Sequence, residues 1–197
     1  GQTIRYYSFK TFSERVPPHV NIGTTCEIDV RLANALLNLR EKRPNEWMSL
    51  WDAIFFFNRA NTDSHEIPPQ QEVVMILGVF QRLLEHLLEQ RAREDKLAKK
   101  FVSTIGSFGA LPTDKDKRLV QYQRERVPTV REAWFRDFYR LRGALAHGKT
   151  QSSVRLAWTI EEHLLLASFI FPLFVKKVLG DWGVYELTEY DAVSYTH

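Results

Sequence analysis

The sequence TVREAWFRDFYRLRGALAHG, residues 129–148, predicts an amphipathic helix with clear start and stop signals. Thr129 is a residue type that caps helix N-termini, and Gly148 is the type that most often ends a helix. Between them, apolar side chains recur at spacings of three and four: Val130, Trp134, Phe138, Leu141 and Leu145. We therefore expect one face of this helix to lie in a core.

The remainder of the chain repeats this helical spacing, with polar or proline-containing segments between helices. Helices are predicted over residues 26–43, after a cap at Asn45, over residues 73–88, and from a Thr159–Glu162 capping box to about residue 180. The third is expected to fray into residues 91–100, and residues 103–128 to form a mobile, partly helical connection. The order predicts an all-α bundle of about five to six helices.

The two ends of the chain differ from this helical middle. Residues 1–25 are aromatic and β-prone before two prolines, which predicts a short irregular or β-prone arm, or the remnant of an upstream domain. The chain opens on Gly1 rather than methionine, which is consistent with an upstream domain in a longer protein. We expect residues 26–183 to form the helical domain and residues 184–197 to form a C-terminal tail.

Composition favours a cytoplasmic protein with a large core. The chain is 44% apolar and 13% aromatic, which excludes a disordered polymer. Cys26 is its single cysteine, so no intramolecular disulfide can form. We expect no signal peptide, because the first residues are charged and aromatic rather than apolar. The longest apolar run, residues 164–175, is about half the ~20 residues that span a bilayer. We expect that run to be a core helix and no membrane to be a partner.

Positive charge is concentrated in one part of the chain. The net charge is +3, but residues 91–126 hold ten Lys or Arg against five Asp or Glu. A basic surface attracts an anionic polymer such as RNA, although such runs are often simply solvated helix ends and loops. The residues expected to contact RNA are Arg118, Arg124, Arg126, Tyr139 and Lys149.

Arg142 and His147, with four residues between them, carry the most direct chemical signal. Arginine is a permanent cation with a forked set of donors suited to phosphate, and histidine moves protons near neutral pH. The sequence has no metal-binding HExxH or CxxC motif and no phosphate-binding glycine motif. We therefore expect a metal-free site without a cofactor.

This pair resembles the R-x(4–6)-H motif of HEPN domains, and the surrounding sequence is most similar to the Apea-like branch. The segment FFFNRA, residues 55–60, followed by Asp63, resembles the f-x-r-A segment of that branch. Residues 73–88 resemble the long apolar helix that follows this segment in the family. The similarity covers roughly residues 45–180 in the expected order.

The resemblance implies a helical, RNA-binding homodimer of prokaryotic defence or stress response. It implies a metal-independent endoribonuclease in which Arg142 binds the phosphate and His147 acts as general acid or base. The products would be a 2′,3′-cyclic phosphate and a 5′-hydroxyl. Five helical steps separate the two side chains by about 140°, so a site shared between two copies suits this motif better than a monomer.

Two positions depart from the family pattern, and they keep other interpretations open. Many active members carry a polar residue where this chain has Gly143, and one toxin branch has a tyrosine where this chain has Lys149. The alternative is a catalytically inactive HEPN-like module that serves dimerisation, sensing or scaffolding. A purely structural interpretation pairs Arg142 with Asp137 or Glu161, and a plain scaffold would use Phe56 and Phe57 as an interface.

Overall fold

The structure is a computed structural model that describes residues 29–61, 67–106, 112–115, 117–148, 155–188 and 191. Within them it is an all-α bundle, as predicted, with seven α-helices and no strand. The helices are α1 (Val30–Lys42), α2 (Pro44–Ala60), α3 (Pro69–Leu88), α4 (Glu94–Ile105), α5 (Val120–Arg124), α6 (Val130–Ala146) and α7 (Ile160–Asp181). The predicted N-terminal arm, residues 1–25, lies outside the described residues.

Helix α3 lies at the centre of the bundle, where it contacts α2, α4, α6 and α7. Phe80 on this helix is fully buried and meets aromatic rings from three other helices: Phe101, Trp134, Phe171 and Phe174, at centroid distances of 5.5–6.4 Å. Edge-to-face packing of this kind adds to the free energy gained by burying the rings. The aromatic cluster therefore holds α3, α4, α6 and α7 together.

The helix ends follow the sequence signals in most places. The Thr129 side chain accepts from the backbone N–H of Glu132, and Thr159 and Glu162 form the predicted capping box. Gly148 has a φ of +71° directly after α6, which is the left-handed conformation that glycine adopts at little cost. The predicted cap at Asn45 is wrong, because α2 begins at Pro44, a residue suited to a first helical turn.

Helix α4 is the main difference from the sequence-based expectation. Residues 91–100 were expected to be frayed, yet a regular helix begins at Glu94. Its buried side chains, at helical spacing, are Leu97, Ala98, Phe101, Thr104 and Ile105. Charged side chains on the remaining face mask this stripe in the sequence. The stripe packs against α6, so tertiary contact stabilises a segment whose composition resembles a loop.

The last helix, α7, is the one helix of the described chain that is long and apolar enough to cross a membrane by length and composition. Ten of its side chains are buried, among them His163. It continues through Pro172 and packs against α3 and α4. The apolar run at residues 164–175 is thus a core helix of the bundle. The following residues 184–188 form no strand.

Candidate functional site

Arg142 and His147 both lie at the C-terminal end of α6. The helix remains regular to Ala146, and His147 is its C-cap with φ −97° and ψ 16°. Five steps of an α-helix turn the second side chain by about 140° from the first. Arg142 is half-buried at the side of α6 that faces α2 and α3, whereas His147 is exposed. One copy of the chain therefore does not bring the two predicted catalytic side chains onto the same helix face.

Arg142 makes no hydrogen bond or ion pair with any other residue that the structure describes. Its Nε atom is buried and has no hydrogen-bond partner in the described part of the chain. The pairing with Asp137 or Glu161 that the sequence allows does not form. An unpaired buried N–H costs about 1–3 kcal/mol, so a guanidinium in this position is set up to receive an acceptor.

Asp137 does not pair with Arg142 because its carboxylate is fully engaged elsewhere. It is completely buried and accepts hydrogen bonds from the Tyr122 hydroxyl, from His163 Nε2 at 3.0 Å, and from the backbone N–H groups of Ala157 and Trp158. Burial, and then the bond to Asp137, raise the pKa of the Tyr122 hydroxyl well above its usual value. This cluster joins α5, α6 and the start of α7, and we call it the Asp137 cluster.

Gly143 lies between the two candidate side chains and faces open space. A Cβ added to it would meet no atom of the described residues within 4 Å, so close packing among those residues does not account for this glycine. Gly143 precedes His147 by four residues, and its carbonyl accepts the backbone N–H of His147. Positions four apart share one helix face. Among the described residues, nothing therefore covers the helix face that Gly143 shares with His147.

A groove of about 390 Å³ opens beside Arg142, between α2 and α3. Its polar lining comes from Gln81, Arg82, Glu85 and Arg142, and its apolar lining includes Phe56 and Met75. The sequence did not indicate this groove, because its walls belong to three helices that are far apart in the chain.

Two of the three arginines earlier on α6 are paired with acids, and the third, Arg131, donates to the carbonyl of Gly106 at 2.9 Å. Arg136 binds Glu132 and Asp95, and Arg140 binds Glu94 at 3.1 Å and Glu125 at 2.7 Å. Hydrogen bonds to Glu125 raise the pKa of Arg140 despite its partial burial. These pairs neutralise three of the five acids in residues 91–126. They also attach the turn after α5 to α6.

The residues predicted to contact RNA fall into different environments. Arg124 and Arg126 are exposed on either side of Glu125, and Arg126 has an unusual φ of +59°. Arg118 is paired with Glu162 at 3.5 Å. Tyr139 is half-buried and packs against the core, and Lys149 lies outside the described residues.

Arg140 links the turn that carries Arg124 and Arg126 to the helix that ends at His147. The bond between Arg140 and Glu125 fixes the turn that carries both arginines against α6. His147 follows Arg140 by seven residues, which places it on nearly the same helix face, about 10 Å further along the axis. The exposed Arg124 and Arg126 therefore form a small basic surface beside the helix face that leads towards His147.

Among the described residues, no group of three or more His, Cys, Asp or Glu side chains lies close enough to hold a metal ion. Comparisons with protein-family models, curated proteins and solved structures found no match. The resemblance to HEPN domains thus rests on the residues of the two motifs and on the order of the helices.

Proposed function

We propose that this chain is a HEPN-like RNA-binding domain that cleaves RNA as a dimer without a metal ion. The observation that carries the proposal is the end of α6. His147 is exposed, and among the described residues Arg142 has no partner and nothing fills the space beside Gly143. A phosphate can approach this surface without displacing a contact that holds the fold.

The reaction is a transesterification within RNA. The 2′-hydroxyl attacks the adjacent phosphorus, the bond from O2′ to phosphorus forms, and the bond from phosphorus to O5′ breaks. One histidine removes the proton of the 2′-hydroxyl and another protonates the leaving O5′. Arg142 stabilises the negative charge on the phosphate oxygens. The products are a 2′,3′-cyclic phosphate and a 5′-hydroxyl.

A dimer supplies what one copy lacks. Arg142 and His147 point about 140° apart on one helix, and a single copy has one motif histidine for two proton transfers. A two-fold axis near the end of α6 would bring Arg142 close to His147 of the partner subunit. The basic surface at Arg124 and Arg126 would hold the RNA backbone beside this joint site.

RNA cleavage in the presence of EDTA tests this function. Wild type, Arg142→Ala and His147→Ala should be compared on structured and unstructured RNA, with sizing to establish that each is a dimer. We expect wild type to cleave and both variants to lose at least about 100-fold in rate, because removal of one such group typically costs that much. Cleavage that EDTA abolishes would contradict the metal-free mechanism.

The second candidate is an inactive HEPN-like binding module. Two observations favour it: Arg142 faces the groove between α2 and α3 rather than His147, and Gly143 offers no polar side chain. In that case wild type binds RNA or another anionic ligand and leaves it intact, with Arg142→Ala weakening the binding.

The basic surface can be tested with two residues in matched backbone conformations. Arg126 and Glu89 both follow a helix with positive φ, at 59° and 54°. Changing either to glycine should stabilise the fold by up to about 1 kcal/mol, because glycine adopts this conformation without strain. Arg126→Gly should reduce the salt dependence of RNA binding by about one phosphate contact, and Glu89→Gly should not reduce it. Equal effects of the two variants on RNA binding would exclude Arg126 from the RNA surface.

A further inference from the structure

The groove between α2 and α3 contains polar atoms that the protein itself does not satisfy. Arg142 Nε, a donor, and Gln81 Oε1, an acceptor, are both buried without hydrogen-bond partners within the described structure. Both residues line the same groove. A ligand that offers an acceptor to the arginine and a donor to the glutamine would satisfy both atoms.

Glu85 fixes the direction of the Gln81 amide and adds a second acceptor. Glu85 Oε1 accepts Gln81 Nε2 at 3.0 Å and the backbone N–H of Ala92 at 3.2 Å. The amide nitrogen of Gln81 is therefore used within the protein, and its oxygen is the atom left for a ligand. Both bonds use one carboxylate oxygen of Glu85, so Oε2 remains an acceptor on the same helix face, one turn from Gln81.

The rest of the groove suits a flat ring. A Cβ built on Gly78 would meet no atom of the described structure within 4 Å, so α3 presents a flat floor at that position. Phe56, which is 40% exposed, and Met75 line the groove with apolar surface. Arg82 lies over the Phe56 ring at 5.7 Å and pairs with Asp52 at 3.5 Å, which keeps its charge at the rim. An aromatic wall and a few convergent polar atoms are typical of sites for planar ligands.

We infer that this groove binds a guanine base. Its N1–H and exocyclic N2–H donate to Glu85 Oε2 and Gln81 Oε1, and its O6 accepts from Arg142 Nε. Among the four RNA bases, guanine alone has two donor atoms and one acceptor on its Watson–Crick edge. Adenine would direct its 6-amino donor at the Arg142 donor, so the two groups would not bond. Cytosine and uracil each have one donor atom on this edge, which leaves one of the two protein acceptors, Glu85 Oε2 or Gln81 Oε1, without a partner.

The inference extends the proposed function, on which its link to RNA rests, by naming the base that lies beside the reacting phosphate. Arginine has five N–H donors in a planar fork. Nε–H is directed to the base in the groove, which leaves the terminal nitrogens of Arg142 for the phosphate. A guanine in this groove would therefore place the neighbouring phosphate at the end of α6.

Binding of the four nucleoside 5′-monophosphates to the intact chain tests the groove without any cleavage step. By calorimetry, we expect GMP to bind at least about 10-fold more tightly than AMP, CMP or UMP. Glu85→Gln should weaken GMP binding by at least about 10-fold, because the charged acceptor is lost. Gln81→Leu should weaken it too, and Gly78→Leu should abolish it by filling the groove. Glu89→Gln, an equal charge change outside the groove, should have no effect.

Two outcomes would overturn the inference: equal binding of all four nucleotides, or GMP binding that survives Gly78→Leu in a variant that unfolds like wild type. A second arm compares cleavage of RNA with and without guanine by wild type and Gly78→Leu. Loss of a guanine preference in the variant identifies the ligand as a base within RNA. GMP binding without any effect of guanine on RNA identifies a free guanine nucleotide. If GMP binds as expected and no RNA is bound or cleaved, the proposed function fails while the base site stands.

Discussion

The two parts of α6, up to Arg140 and after it, use polar side chains in opposite ways. In the first part, Arg136, Asp137 and Arg140 are all engaged with partners from other helices or loops. At the C-terminal end, Arg142 has no hydrogen bond or ion pair within the described chain, and His147 is exposed. The two arginines Arg140 and Arg142 are only two residues apart on the same helix.

This difference separates residues that hold the fold from residues that are available for a ligand. A buried carboxylate with four donors is costly to disturb, because each donor would be left unsatisfied. An unpaired guanidinium contributes little to the fold and even costs free energy where its Nε is buried. Substitutions up to Arg140 should therefore mainly lower stability, whereas substitutions at Arg142 and His147 should mainly lower ligand binding and activity.

Removal of the Asp137 carboxylate should have the largest effect on stability. Asp137→Ala leaves the Tyr122 hydroxyl, the His163 ring and two backbone N–H groups without their acceptor, so we expect a loss of about 3–5 kcal/mol in the free energy of unfolding. Asp137→Asn, which retains one acceptor oxygen, should lose less. Arg142→Ala should change stability by less than about 1 kcal/mol. Urea unfolding measures all three.

Equal destabilisation by Arg142→Ala and Asp137→Ala would contradict this division of α6. It would mean that Arg142, like Asp137, makes contacts that support the fold. A loss of RNA binding in the same variant could then no longer be attributed to a ligand contact.

Alkaline pH should reduce the contribution of the Asp137 cluster to the free energy of unfolding. Burial and the Asp137 bond raise the pKa of Tyr122 above its ordinary value of 10.0. The unfolded chain releases this proton near pH 10 and the folded chain retains it, so the stabilisation is intact below pH 10 and is lost as pH rises above it. The loss is at most about 1.4 kcal/mol per pH unit. Tyr122→Phe should therefore flatten the decline in stability between about pH 10 and 11.

Tyr185 should contribute to the same alkaline loss of stability as Tyr122. Burial also raises the pKa of Tyr185, and its hydroxyl donates to Asp191 at 3.0 Å. Part of the alkaline decline should persist in Tyr122→Phe and disappear only when Tyr185→Phe is added. An identical decline in wild type and Tyr122→Phe would show that the Tyr122 proton is not retained by the fold.

The smallest expected effect on stability is at Gly143. Because a Cβ there meets no atom of the described residues within 4 Å, Gly143→Ala should stabilise the protein by about 0.5–1 kcal/mol through the higher helix propensity of alanine. Gly143→Asn places a polar group on the face of His147, and we expect it to raise the cleavage rate with little change in stability. A destabilised Gly143→Ala would mean that this surface is already covered, for example by a second copy of the chain.

Much of the fold could be predicted from the sequence because periodicity and capping are local signals. Thr129, Gly148 and the Thr159–Glu162 pair act within one helical turn, and each has the predicted role. Helix α4 could not be predicted in the same way. Its stripe from Leu97 to Ile105 becomes recognisable only once α6 is known to cover it, since its exposed face is dense in lysine.

The candidate site was predictable only as residue types. Arg142 and His147 stand out as a motif, but their surroundings depend on residues far away in the sequence. Asp137, an acid that could have neutralised Arg142, instead bonds His163, which lies 26 residues after Asp137 in the chain. The groove beside Arg142 depends on Gly78 and Glu85 from α3, and no local pattern links these positions to α6.

A mixed-dimer experiment tests the central claim most directly. Wild-type and inactive His147→Ala proteins are mixed in equal amounts under conditions that exchange subunits, and RNA cleavage is measured in EDTA. If the site needs His147 from both copies, only dimers of two wild-type copies cleave, and these are a quarter of the total, so activity should fall to about a quarter of that of wild type at the same total concentration. About half of that activity, in a mixture shown to contain mixed dimers, would contradict a site built across the dimer from this motif.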